Sequence, residues 1–223
     1  MENKINYGKV LEETLRRLEI EGVRPRLLLH ACCAPCSSYV LEYLAERFAI
    51  TLYFYNPNIA PAEEYDFRFR ELARLVEEVG YRDMPILRET YDAAEFESIA
   101  QGLENEPEGG ARCYKCYRLR LTKAAEAAKA GGFDYFTTTL SISPHKRADW
   151  LNEIGRSLGD MYAVPYLTSD FKKKGGYQRS IVLSKEHNLY RQPYCGCKYS
   201  MRNAENGRQN CDNPVPPTDG RIS

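Results

Sequence analysis

Five of the eight cysteines in this chain sit in two tight clusters, His30-Ala31-Cys32-Cys33-Ala34-Pro35-Cys36 and Cys113-Tyr114-Lys115-Cys116. Two more form Cys195-Gly196-Cys197, and the last, Cys211, lies in a polar, proline-bearing tail as a bystander. Cys113 and Cys116 have the spacing that lets two thiolates from one turn bind a single metal centre. Cys32, Cys33 and Cys36 add three thiols at a turn stiffened by Pro35. There the unpaired backbone N–H groups that open a helix favour thiolate over thiol. Five thiolates exceed the four that a tetrahedral zinc uses, and an iron–sulfur cluster needs four. The surplus fits a four-cysteine cluster with a neighbouring metal, or a ligand set with one reactive thiol left over. A thioredoxin-type pair fits less well, because Cys113 follows a Gly-rich loop rather than a strand. Cys195 and Cys197 are a different object. One intervening residue makes a strained ring if they close, and strained disulfides are oxidising and labile. Such a pair can hold and release two electrons; it can also be a metal-ligand pair or an incidental pair in a loop.

The remaining composition narrows the setting. Lys plus Arg and Asp plus Glu both number 31, so a uniformly basic nucleic-acid coat is excluded while a local patch is not. Such a patch exists in Lys172-Lys173-Lys174-Gly175-Gly176-Tyr177-Gln178-Arg179, continued by Tyr190, Arg191, Tyr194, Lys198, Tyr199 and Arg202. Cations neutralise phosphates while aromatics stack on unpaired bases, the composition of a surface for single-stranded or loop RNA. A merely solvated charged face has the same composition. No apolar stretch approaches the roughly 20 residues of a membrane span. The segment Met1-Glu2-Asn3-Lys4-Ile5-Asn6 lacks the apolar core of a signal peptide. A cytoplasmic location is therefore expected, where thiols are kept reduced and clustered cysteines read as metal-binding or redox-active. His30 abuts the cysteine turn, either to hydrogen-bond a ligand sulfur or move a proton, or as a satisfied core histidine. His145 follows a strand end, within reach of a substrate.

Elements must bring these residues together. Residues 8–21 are amphipathic at helical spacing. Strands are expected at 26–30, 50–55, 85–87, 135–140 and 161–166. Helices are expected at 37–47, 62–79, 92–101, from Cys113 to the Gly131-Gly132 pair, and at 143–158. Strand and helix alternate, which predicts an α/β fold, a mostly parallel sheet with helices on both faces. Cysteines at the end of its first strand and at the start of a later helix can then meet at the sheet's ligand-binding edge. The expected organisation is a helical extension over 1–24, a cluster-binding core over 25–167 and a basic, aromatic helical lobe over 168–202. A disordered tail is expected over 203–223.

With these motifs in view, the chain resembles the cobalamin-independent epoxyqueuosine reductase family, QueH. The resemblance covers about Arg26 to Met201. It rests on the two cysteine clusters, Tyr55-Asn56-Pro57-Asn58-Ile59, Arg112-Cys113-Tyr114-Lys115-Cys116-Tyr117-Arg118-Leu119-Arg120, Ser141-Ile142-Ser143-Pro144-His145-Lys146, Gly175-Gly176-Tyr177-Gln178-Arg179-Ser180 and Leu189-Tyr190-Arg191-Gln192-Pro193-Tyr194-Cys195-Gly196-Cys197. It implies a Rossmann-like core akin to HUP and PP-loop folds. The implied reaction is the last step of queuosine synthesis on tRNA, the two-electron removal of an epoxide oxygen. It further implies a [4Fe-4S] cluster on Cys32, Cys33, Cys113 and Cys116 and a redox-active pair at Cys195 and Cys197. Cys36 remains as a ligand for a second metal, iron by the same resemblance. The implied partners are tRNA carrying epoxyqueuosine and an electron donor of ferredoxin or flavodoxin type, and Lys172, Lys173, Lys174, Arg179 and Arg191 of the basic patch are expected to hold that tRNA. ATP-pyrophosphatase enzymes that thiolate tRNA share the core, but they need a Gly-rich loop where this chain has Ala31-Cys32-Cys33-Ala34-Pro35-Cys36. A zinc-stabilised RNA-binding module is the other alternative, and it would need only four of the cysteines.

Overall fold

Leu27, Leu28 and Leu29 are all fully buried, and strand alternation sends them to opposite faces. Leu27 and Leu29 join an apolar cluster with Leu41, Leu52 and Leu72, whereas Leu28 joins a second with Tyr53, Leu121 and Leu151. A strand buried on both faces needs a helical layer on each side. The computed structural model, which describes residues 5–192 and 194–201, has this architecture around a four-stranded, all-parallel sheet. β1 (Arg26–His30) pairs with β2 (Ala49–Phe54) on one side and β4 (Tyr135–Thr138) on the other. β3 (Ile86–Arg88) extends the sheet beyond β2. The order β3-β2-β1-β4 reverses its direction of growth between β1 and β4. Open parallel sheets bind ligands at such a switch point, beyond the carboxyl ends of the strands.

The helices are α1 (Tyr7–Glu21), α2 (Ala34–Leu44), α3 (Ala62–Glu78), α4 (Ala93–Ala100), α5 (Ala111–Ala130), α6 (Ala148–Tyr162) and α7 (Gly176–Glu186). Asn6 caps α1 by accepting the Lys9 N–H, and Leu11, Leu15 and Leu18 form its buried stripe. Two helices carry arginine inside such a stripe. In α3 it runs Tyr65, Arg68, Leu72 and Leu75, and in α5 Arg112, Cys116, Arg120 and Ala124.

Some boundaries differ from expectation, each for a local reason. α2 opens at Ala34 rather than at 37, because extended Cys33 is its N-cap and Pro35 fits the first turn. β4 stops at Thr138, whose hydroxyl accepts the Leu140 N–H at 3.1 Å and starts the short 3-10 helix Thr139–Ile142. α6 opens at Ala148 rather than at 143, since Pro144 keeps Ser143 extended at ψ 132°. The stretch 161–166 is not a strand. α6 runs on to Tyr162, Ala163 turns left-handed at φ 54°, and Pro165 has no N–H for a ladder. One bridge, Phe136 to Tyr166, is what forms there among the described residues.

α7 docks on α2 so closely that a Cβ at Gly176 would lie 2.5 Å from the Tyr39 ring, and 2.0 Å from the Phe171 carbonyl oxygen of the segment that leads into α7. Arg179 of α7 reaches Glu42 of α2 at 2.7 Å. The tail expected to be disordered over 203–223, with Cys211, lies outside the described residues, as does Arg202. Among the described residues no helix is long and apolar enough to cross a membrane.

Candidate metal centre and active-site cavity

β1 delivers the first thiols. His30 ends the strand, and the Cys32 N–H reaches across the switch point to the Thr139 hydroxyl at 3.4 Å. Cys33 caps α2 and Cys36 lies in its first turn, so the turn brings neighbouring side chains round to one side. The Sγ atoms of Cys32, Cys33 and Cys36 all lie within 4.8 Å of one another, close enough to hold one metal ion. Hydrogen bonds from Cys33 and Cys36, helped by Arg120 and Thr139, hold Cys32 well below the usual thiol range against the cost of burial. The same bonds push Cys33 up to about 12 and Cys36 well above its ordinary value. A metal that binds all three must displace the protons they still carry.

α5 carries the second group. Cys113 and Cys116 are buried within electrostatic range of Cys195 and Cys197. Burial raises both, Cys116 to about 12, although the Gly109 N–H donates to Cys113 Sγ at 3.3 Å. Cys197 packs with Cys116, Phe96 and Tyr199, while Cys32 packs against the apolar cluster that contains Cys113. All seven described cysteines are free. Arg120 stands between the two groups, hydrogen-bonded to Asn56 and within range of Cys116, Cys32 and Cys195.

Cys32, Cys33, Cys36 and Cys195 line one cavity of about 320 Å³ at the carboxyl ends of β1, β2 and β4. Cys113, Cys116 and Cys197 do not line it. Its wall is rich in buried cations. Lys146 Nζ lies 3.0 Å from Cys195 Sγ and 2.9 Å from Glu108. Burial opposes the Lys146 charge, but Cys195, Tyr117 and Glu108 outweigh it and keep the ammonium well above the usual lysine range. Arg68 is 2 % exposed, bonded to Glu64 at 2.7 Å and to the Cys195 carbonyl at 3.2 Å.

Sequence reasoning gave Arg68, Arg120, Lys146 and Glu108 no role. The available signal was positional: Arg68 occupies a core slot three residues after Tyr65 and four before Leu72. His30, by contrast, is a core histidine. Its Nδ1 accepts from Thr138 Oγ1 at 2.8 Å and its Nε2 donates to the Tyr55 carbonyl at 3.0 Å. Burial and Arg120 lower it to about 3, so it stays neutral. His145 is exposed at the cavity wall.

The expected RNA-binding cations are placed unevenly. Arg191 lines the cavity, and Lys173 stands exposed. Lys172 pairs with Asp170 at 2.9 Å, Lys174 pairs with Glu12, and Arg179 is held by Glu42 and Glu186.

An α/β fold with a metal-binding cysteine cluster at the switch point of a parallel sheet is the class that fold and site define. Comparison with known proteins narrows the class. The chain belongs to the epoxyqueuosine reductase QueH family, whose model matches residues 27–203. A relative named epoxyqueuosine reductase QueH from Streptococcus pyogenes is 44% identical, over 89% of this chain and 79% of its own. That from Haemophilus influenzae is 42% identical, over 86% and 78%. The one from Thermotoga maritima is 31% identical, over 78% and 90%.

Proposed function

We propose that this chain is an epoxyqueuosine reductase, an oxidoreductase acting on tRNA that carries epoxyqueuosine. The epoxide oxygen leaves as water and the ring becomes the cyclopentene of queuosine, at the cost of two electrons and two protons. The observation that carries this reading is the placement of Cys32, Cys33, Cys36 and Cys195 on one cavity wall, in a member of this family. The family match favours it over the two alternatives weighed from sequence, an ATP-dependent thiolation enzyme and a zinc-stabilised RNA-binding module.

The donor set suits a soft-metal cofactor: thiols in two groups, with Arg120 in range of both to offset anionic charge. Cys32, Cys33, Cys113 and Cys116 would hold a [4Fe-4S] cluster, and Cys36 a second metal, iron by family resemblance. When bound, these groups would supply single electrons and a Lewis acid for the epoxide oxygen. The chain's own residues do the rest. Lys146 presents a fixed positive charge to the cavity, where the departing oxygen gains negative charge. Glu108, whose side chain is 35% exposed, links Lys146 to solvent and to a supply of protons. Cys195 and Cys197 can close a disulfide, releasing two electrons and two protons, and a ferredoxin- or flavodoxin-type donor would reopen it. Lys172, Lys173, Lys174, Arg179 and Arg191 would hold the RNA backbone, Lys173 and Arg191 without first giving up a carboxylate.

Anaerobic purification, with iron, acid-labile sulfide and zinc quantified, followed by mass spectrometry of nucleosides from treated tRNA, tests the proposal. Iron, sulfide and conversion of epoxyqueuosine to queuosine are expected. Zinc alone with no conversion would overturn it.

A further inference from the structure

Buried polar atoms in folded proteins nearly always have partners, so those without one call for an explanation. Among the described residues, Asn58 Oδ1, Arg68 Nη2, Arg120 Nε and Gln192 Oε1 are buried side-chain atoms with no hydrogen-bond partner, and all four residues line the cavity. Asn58, Arg68 and Arg120 are each 2% exposed, so bulk water is not their partner. Their placement is built in. Asn58 comes from the loop after β2, and the neighbouring Ala60 N–H donates to the Gly196 carbonyl at 3.0 Å. Arg68 is anchored through its other nitrogens to Glu64 and to the Cys195 carbonyl, which leaves Nη2 over. Gly196 adopts φ +111°, and a Cβ there would lie 2.7 Å from Arg68 Nη1, so the loop is shaped to let the guanidinium pass.

We infer that Asn58, Arg68 and Gln192 form a hydroxyl-recognising subsite that selects the substrate by the vicinal hydroxyls of its five-membered ring. The inference rests on the reductase reading and deepens it. Asn58 Oδ1 and Gln192 Oε1 are acceptors and need O–H or N–H groups, while Arg68 Nη2 is a donor and needs an oxygen. A hydroxyl both donates and accepts, so a pair of hydroxyls completes all three. A phosphate does not, because its oxygens would face two carbonyl oxygens. The epoxide-bearing ring of epoxyqueuosine carries such a hydroxyl pair, and unmodified guanine carries none. A site with unpaired buried polar groups rejects a ligand that cannot pair them.

The test is binding, without turnover. Affinities of the metal-loaded protein are measured for tRNA bearing queuosine, which retains the ring hydroxyls, and for the same tRNA bearing guanine. Wild type is expected to prefer the queuosine tRNA by about tenfold or more. Asn58→Leu and Gln192→Leu should each cut that preference about five- to tenfold, one neutral hydrogen bond's worth. Guanine-tRNA affinity and iron and sulfide content should not change. Asn58→Asp keeps the acceptor oxygen at Oδ1 and should keep the preference, whereas at a phosphate subsite its charge would repel the ligand. Full preference in both Leu variants, or its loss in Asn58→Asp with cofactor intact, overturns the subsite. Gln192→Leu lies on a more accessible segment and decides the matter if Asn58→Leu does not fold. Wild type that converts epoxyqueuosine yet shows no preference overturns the subsite alone. No conversion and no preference overturns the reductase reading with it.

Discussion

The Cys32, Cys33 and Cys36 side chains interact with one another and shift one another's titration, so the roles of these neighbours separate only when a metal is bound. Ser substitutions resolve them. Cys33→Ser should lose most iron and sulfide, while Cys36→Ser keeps the cluster and loses turnover; the reverse pattern in metal analysis would exchange the two assignments. A second residue-scale prediction concerns Gly196. Gly196→Ala strains a backbone at φ +111° and drives a methyl into Arg68. It should cost about 1–3 kcal/mol in urea unfolding and speed alkylation of Cys195, whose carbonyl Arg68 holds. Unchanged stability and an unchanged alkylation rate would show that the loop yields freely. At this scale the cysteines were legible because thiols are scarce and their spacing is diagnostic. Arg68 and Arg120 were not, since a charged residue reads as surface until a fold shows what lies beneath it.

α7 illustrates how one element sets the shape of the cavity without supplying a thiol. Its first residue, Gly176, touches the Phe171 backbone and the Tyr39 ring, and Tyr177 beside it and Ser180 one turn on line the cavity. Gly176→Ala cannot be absorbed by a flexible side chain, because the nearest atom is a backbone oxygen. It should cost about 3 kcal/mol by urea titration and reduce turnover while iron content holds. A variant of wild-type stability would mean that α7 docks less tightly than its contacts with α2 indicate. The alternation of strands and helices was legible from apolar runs and turn residues. The start of α6 was not: Ser143-Pro144 reads as a helix opening, yet the chain first makes a turn closed by the Lys146 N–H on the Ser143 carbonyl at 3.2 Å. That detour sends Lys146 to the cavity, a tertiary demand that local propensity does not record.

For the whole molecule, equal numbers of cations and anions mean that any attraction for RNA is local. Cations already paired within the fold release fewer counterions when RNA arrives. Arg191→Ala should therefore flatten the dependence of log affinity on log salt by about 0.7–0.9. Arg179→Ala should flatten it by clearly less, since Arg179 already grips Glu42 and Glu186. Equal slopes for the two variants would show that ion pairing inside the fold does not rank the contacts. The distribution of the site along the chain has a last consequence. The cysteine turn follows the first strand, while Arg191 to Cys195 complete the cavity wall from the far end of the described chain. During synthesis the early thiols leave the ribosome well before their covering segment exists. For that interval the nascent protein carries an open thiol triad, exposed to oxidants and to adventitious ions.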